Sequence, residues 1–287
     1  MAKLIIGCGY LGLRVAASWL AEGETVWALT RSSTRAEQLS STGIRPIKGD
    51  VCDPSTLNTL PTADTTLFAV GYDQASTWTR QQVAVDGLKN VLQVIASKTG
   101  RLIYISSSSV YGQSQGEWVN ELSECHPVQP GGECCLAAEH LIETHAHARS
   151  SNVLRLSGIY GPGRLLSRIE SLRAGQSLSG RGDAWLNLIH VDDATSAIKA
   201  CEDRGQPQQS YLISDDLPIR RADYYGLLAR LVNAPPPTFD PTITSERGSG
   251  GLNKRCQNQR MREELLVELK YPTITEGLPQ SVGELAR

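Results

Sequence analysis

Between Lys98 and Lys199 the chain contains no lysine, and between Tyr111 and Tyr160 it contains no tyrosine. A phenol and an ammonium therefore cannot share one helical face anywhere in the overlap of those two gaps. Runs of like charge are missing too. The 28 basic and 30 acidic residues are interspersed for a net charge of -2, which leaves neither a nucleic-acid footprint nor a polybasic membrane patch. Small-molecule partners are expected instead. The 7 cysteines include an odd one and fit no zinc spacing, and the adjacent Cys134 and Cys135 are badly placed to bridge each other. Reduced thiols in a cytoplasmic protein are the expectation. The N-terminal MAKLIIGCGYLG is too short and too interrupted by glycine for a signal peptide or a membrane span, so neither secretion nor a membrane partner is expected. No internal repeat or low-complexity tract points to a solenoid.

What is present is an alternation of short apolar runs and helical patterns. Strands are expected over Lys3–Gly7, Thr25–Thr30, Ile44–Lys48, Thr66–Val70, Arg101–Ser106 and Asn152–Leu156. Helices are expected over Leu11–Glu22, Thr34–Ser40, a long stretch 76–97, and PGGECCLAAEHLIE at 130–143, where Leu136, His140 and Ile142 occupy packing positions. Strands separated by helices imply a parallel, doubly wound α/β sheet with ligands at the carboxyl ends of its strands. After Tyr160 the character changes, through GPG, a helix near Arg164–Ala174, and Asn187–Val191 leading into a further helix. The PPP at 235–237 and the GSGG at 248–251 read as exposed connections.

The run IIGCGYLG sets Gly7, Gly9 and Gly12 in G-x-G-x-x-G spacing between the first strand and the first helix, with Tyr10 and Leu11 inside the motif. Gly7 allows the tight turn, Gly9 lets backbone amides approach a pyrophosphate, and Gly12 lets helix pack on strand. A dinucleotide site follows. Its preference is read at the end of the second strand, ALTRSSTR, where the carboxylate that would bind an adenosine ribose is missing. Arg31, Arg35 and the Ser32 hydroxyl could hold a 2′-phosphate there, which favours NADP with NAD as the other possibility. Asp50 and Val51 in GDVCD, with Ala69 and Val70 in LFAVG, could line an adenine slot, although Asp50 could equally cap the turn that follows it.

GCGYLG, GDVCDPSTL, YISSSSVYG, LRLSGIYGPGR and NLIHVDDATSAI, in this order, resemble the extended short-chain dehydrogenases of the NAD-dependent epimerase/dehydratase family over nearly the whole chain. Within it, NKR at 253–255 and the YPTITEGLP tail are similar to an atypical, YeeZ-like branch. The resemblance implies a Rossmann-type dinucleotide-binding domain at 1–160, with 187–203 packing back on it, and a smaller, mainly C-terminal substrate lobe at 161–287. It also implies an oxidoreductase whose substrates are often nucleotide sugars.

By the same resemblance, Ser107, three residues before Val110, takes the family's catalytic Ser/Thr position, though a strand-end serine can also simply cap local backbone. The departure lies in the next helix. There the family carries Tyr-x-x-x-Lys, the lysine anchoring the nicotinamide ribose and lowering the pKa of a phenol that moves the proton. Aligned through Ala138 and Glu139, those positions are Gly131 and Cys135, and the gaps in tyrosine and lysine exclude a shifted motif. The acid pair of the dehydratase variant falls on Ser108 and Ser109, which carry no carboxylate. An oxidoreductase of altered mechanism and a non-catalytic NADP-binding sensor both remain open. Cys134 and Cys135 could be reactive at a helix N-terminus or merely small packing residues. Tyr111, Glu121, Glu124, His126 and His190 are the other candidates for a replacement acid or base.

Overall fold

The computed structural model describes residues 1–145, 150–243 and 252–283, so the GSGG at 248–251 lies outside the described residues. Its centre is a parallel sheet of seven strands: β1 (Ala2–Ile6), β2 (Thr25–Thr30), β3 (Arg45–Lys48), β4 (Ala63–Phe68), β5 (Thr99–Ser107), β6 (Ser151–Leu156) and β7 (Ser210–Ile213). The spatial order is β7-β6-β5-β4-β1-β2-β3. Because β1 pairs with both β2 and β4, the direction of winding reverses at β1, and a crevice opens above its carboxyl end.

Both faces of this sheet are covered, which is why its strands are apolar almost throughout. Leu4 and Ile6 point into one core and Ile5 into the other, and Leu102 and Tyr104 divide from Ile103 in the same way. On one side pack α1 (Tyr10–Ala21), α2 (Ser33–Ser41) and α6 (Val191–Arg204); on the other lie α3 (Gly87–Ile95) and α4 (Pro130–Thr144). α6 is also fastened by polar contacts. Its Glu202 accepts from Lys3 Nζ at 2.6 Å and Trp19 Nε1 at 2.7 Å, and pairs with Thr65.

The expected elements are found with adjusted ends. The long helix expected from residue 76 begins only at Arg80 and passes through a wide π-helical turn at Gln82–Asp86 before α3. On α4, Ile142 is buried and Leu136 half-buried, but His140 is exposed: its position on the helix turns it to solvent rather than to the packing face. Ser210–Ile213, to which the pattern reading gives no element, forms the edge strand β7 beside β6, a run of 4 residues whose partner is 57 positions away in register.

A second core is assembled after Tyr160. Leu165, Ile169 and Leu172 meet Tyr224, Tyr225 and Leu228, then Ile274 and Leu278, joining α5 (Leu166–Arg173), α7 (Arg221–Leu231) and α9 (Ile274–Gly283). The remaining helix, α8 (Gln259–Glu264), buries Met261 against the main core. Among the described residues no helix is long and apolar enough to cross a membrane.

Candidate functional site

At the switch point lies a cleft of about 380 Å³ lined by the ends of β1, β2 and β4 and the segments after them. Each glycine of the GCGYLG turn has a distinct steric reason to be there. Gly7 sits at φ +98°, and a Cβ on it would lie 2.5 Å from the Ala69 carbonyl. A Cβ on Gly12 would come within 2.8 Å of the Gly7 oxygen, so this residue lets α1 close on β1. A Cβ on Gly9 would meet nothing within 4 Å. That open floor coincides with the start of α1, which no side chain caps, and so with the positive end of the helix dipole. An anion fits there.

Gly7, Gly9, Arg31, Asp50, Val51, Ala69 and Val70 all line the cleft. Leu11 is buried in the core, so only its amide is available to a ligand. The Tyr10 side chain leaves the cleft: its hydroxyl donates to the Pro162 carbonyl at 3.0 Å, and its ring receives the Arg14 guanidinium at 4.2 Å. Tyr10 thus bridges the glycine turn to the GPG loop.

At the end of β2, Arg31 lines the cleft and is exposed. The Ser32 hydroxyl caps α2 by accepting from Arg35 N at 3.2 Å and keeps its own proton to donate. The Arg35 guanidinium donates to the Cys8 carbonyl at 3.1 Å, tying α2 to the glycine turn, and to Gln38 at 3.0 Å. Lys48, which the sequence marks only as the end of a strand, stands beside Thr30 in the sheet and reaches Ser33 Oγ at 2.7 Å, adding a third cation. Its signal was the parallel pairing of β2 with β3, which the linear sequence does not display. Asp50 spends one carboxylate oxygen on the Cys52 amide at 2.9 Å, the capping role, while Val51 is buried against the cleft. Tyr72, Asp73 and Ser76, from the loop after β4, also line the cleft and were not singled out.

The residues expected to carry chemistry do not gather into a buried acid–base pair; only Glu124 and His126 meet, and they do so in the open. Ser107 Oγ accepts from Ser109 N at 3.1 Å, the local capping role, with its hydroxyl hydrogen still to donate. Gly131 is half-buried in the first turn of α4. Cys134 is buried with its thiol 3.6 Å from Gln81 Oε1, and burial pushes that thiol up despite the helix N-terminus. Cys135 is pushed up to about 11, first by burial and then by the Glu139 carboxylate. Both cysteines are therefore neutral packing thiols at physiological pH.

The remaining candidates are engaged elsewhere. Tyr111 is fully buried, accepts from Arg155 Nη1 at 2.9 Å, and burial drives its phenol far above the usual range. Arg155 also grips the buried Glu139, with Nη2 to Oε2 at 2.6 Å, and Glu139 accepts from Ser106 at 2.5 Å. Glu121 accepts from the Leu212 amide at 2.7 Å and pins its loop to β7. Glu124 and His126 are exposed, 3.3 Å apart. His190 is sealed off: Nδ1 accepts from the Asp192 amide at 3.2 Å, which assigns the proton to Nε2 facing Gln280 Oε1 at 3.0 Å, and burial lowers its pKa. Among the described residues no cluster could hold a metal ion.

Residues 4–214 match the NAD dependent epimerase/dehydratase family. Protein YeeZ of Escherichia coli (strain K12) is 30% identical over 277 residues, covering 93% of this chain and 95% of that protein. A conserved protein of unknown function from Silicibacter pomeroyi superposes with a TM-score of 0.81 at 25% identity, over 100% of this chain and 99% of its own. The dTDP-glucose 4,6-dehydratase DesIV of Streptomyces venezuelae, solved with NAD and TYD bound, gives a TM-score of 0.84 at 20% identity over 100% of this chain and 97% of its own, a likeness of fold. With its parallel sheet, its glycine turn at the switch point and this match across most of its length, the chain belongs to the NAD dependent epimerase/dehydratase family.

Proposed function

We propose that the cleft binds a nicotinamide dinucleotide, NADP in preference to NAD, and that the protein is an epimerase/dehydratase-like oxidoreductase whose proton transfer does not use the usual tyrosine and lysine. The observation that carries this reading is the pairing of an unobstructed, uncapped helix start at Gly9 with the cations Arg31, Arg35 and Lys48 at the end where the adenosine ribose would lie. No carboxylate stands at the end of β2 to favour an unphosphorylated ribose. The cofactor would supply hydride transfer. In this reading, the amides after Gly9 hold the pyrophosphate, Arg31 and the Ser32 hydroxyl hold the 2′-phosphate, and Val51, Ala69 and Val70 flank the adenine. Ser107 retains a hydroxyl hydrogen for a substrate oxygen but is no efficient base. A nucleotide sugar or a related small metabolite is the substrate class, by likeness to relatives such as the dTDP-glucose 4,6-dehydratases.

A second reading, an NADP-binding sensor without turnover, is favoured by one fact: the tyrosine and lysine of α4 are absent, and Cys134, Cys135 and Tyr111 are neutral thiols or a phenol held by burial. Calorimetry with NADPH and NADH tests the cofactor assignment. We expect NADPH to bind about tenfold more tightly, the worth of one charge-assisted contact, and Arg31→Asp to reverse the order. Equal affinities in the parent protein, or no change in the variant, would refute it. Turnover of UDP- and GDP-sugars, followed by nicotinamide absorbance, then separates enzyme from sensor.

A further inference from the structure

The first turn of α4 has no side chain at Gly131, yet the space beside it is not empty of chemistry. A Cβ built there would meet Arg80 Nη1 at 3.8 Å. Arg80 comes from a different element, the helix start that follows the loop after β4, and its charge opposes the effect of burial on both Cys134 and Cys135. A cation from another element therefore bears on the first turns of α4, which lack a lysine.

Its placement is well determined. Thr79 and Gln82 cap this helix start reciprocally, Thr79 N donating to Gln82 Oε1 at 2.9 Å and Gln82 N to Thr79 Oγ1 at 3.2 Å. Gln81 touches Cys134 on α4. The helix then widens into the π turn at Gln82–Asp86, a local distortion that proteins tolerate mostly where a side chain must be aimed. Arg80 lies over the Tyr72 ring, 4.4 Å from its centre, and Tyr72 lines the cleft. Stacking occupies the face of a guanidinium and leaves its N–H edges to donate. Among the described residues the arginines in ion pairs are Arg14, Arg155, Arg181, Arg260 and Arg262; Arg80 is not one of them.

We propose that Arg80 and Tyr72 together hold the nicotinamide riboside half of the dinucleotide, Arg80 as the donor and Tyr72 as the ring that orients it. The proposal rests on the dinucleotide reading above. It replaces a cation and a phenol that would both come from α4 with a cation and a phenol from the segment after β4. Holding and orienting are its whole content.

The test compares two ligands by calorimetry. NADP⁺ carries both halves of the dinucleotide, whereas adenosine 2′,5′-bisphosphate carries the adenosine and 2′-phosphate without the nicotinamide half. Arg80→Ala should weaken NADP⁺ about tenfold, one charge-assisted contact, and leave the bisphosphate within twofold. Arg80→Lys should fall between, because an ammonium keeps the charge and loses the planar fork. Tyr72→Leu should weaken NADP⁺ alone as well, and thermal melting should confirm that each variant remains folded. Unchanged NADP⁺ affinity in Arg80→Ala, or parallel loss of both ligands, overturns the assignment of Arg80 while leaving the dinucleotide reading standing. A parent protein that binds neither ligand removes that reading, and this proposal with it.

Discussion

Asp215 lies two residues beyond the end of β7, is 1% exposed, and neither of its carboxylate oxygens closes a hydrogen bond. The Leu217 amide, which does not reach hydrogen-bonding geometry, offsets the burial only partly, and the carboxyl pKa is pushed up from 3.8 to about 8 by desolvation, with Asp216 and Asp193 adding to the rise. A native acid that titrates near 8 and an unfolded one near 3.8 differ in proton binding throughout the interval. There the native state holds the extra proton, so stability is greatest below the unfolded value and declines as pH rises towards the folded one. At about 1.4 kcal/mol per pKa unit, the roughly three units between the unfolded value and pH 7 set a ceiling of about 4 kcal/mol on the cost at neutrality. Asp215→Asn removes the ionisation and nearly preserves the shape. Urea unfolding of the parent and the variant at pH 4 and at half-unit steps to pH 9 should give nearly equal stabilities at the acid end, and a variant advantage that grows to a few kcal/mol by pH 8. An advantage independent of pH, or one that appears only below pH 4, would refute the reasoning. The neighbouring Ser157 and Tyr160 hydroxyls, also buried without a partner, are not changed by the substitution.

Gly9→Val should abolish dinucleotide binding while leaving the melting temperature unchanged, since its side chain would enter space with nothing within 4 Å. By contrast, Gly7→Ala should destabilise the fold by about 2 to 4 kcal/mol, through a strained backbone and an overlap with Ala69; calorimetric binding and thermal melting of the two variants distinguish these outcomes. Glu139→Ala should cost about 3 to 5 kcal/mol in urea unfolding because it strands the buried Arg155 guanidinium. A loss below about 1 kcal/mol would show that water reaches that pair.

The local statements in the sequence carried far. G-x-G-x-x-G between an apolar run and an amphipathic helix is a backbone requirement written in residues that are neighbours in the chain. The conformation of Gly7 and the closeness of α1 to β1 at Gly12 follow from it. Apolar runs of strand length separated by helices likewise imply a parallel sheet, because only crossover helices join parallel neighbours. The emptiness of α4 was legible as well, since a missing tyrosine and lysine need no coordinates to be seen.

Tertiary structure decided everything that depends on distant residues meeting. β7 is a run of 4 residues whose identity as a strand comes from its neighbour β6, and Lys48 reaches the start of α2 because β3 lies against β2. A sulfhydryl beside a helix N-terminus can be either acidic or inert; the burial of Cys135 and its position one turn before Glu139 made it inert. His140 turned to solvent although its position in the pattern suggested packing. Arg80 and Tyr72 are separated by 8 positions in a stretch read as loop and helix, and only the fold laid the guanidinium on the ring and brought it beside Gly131. Local patterns encode backbone geometry, which needs only near neighbours. A charge's partner, and hence its chemistry, is set by packing across the sheet.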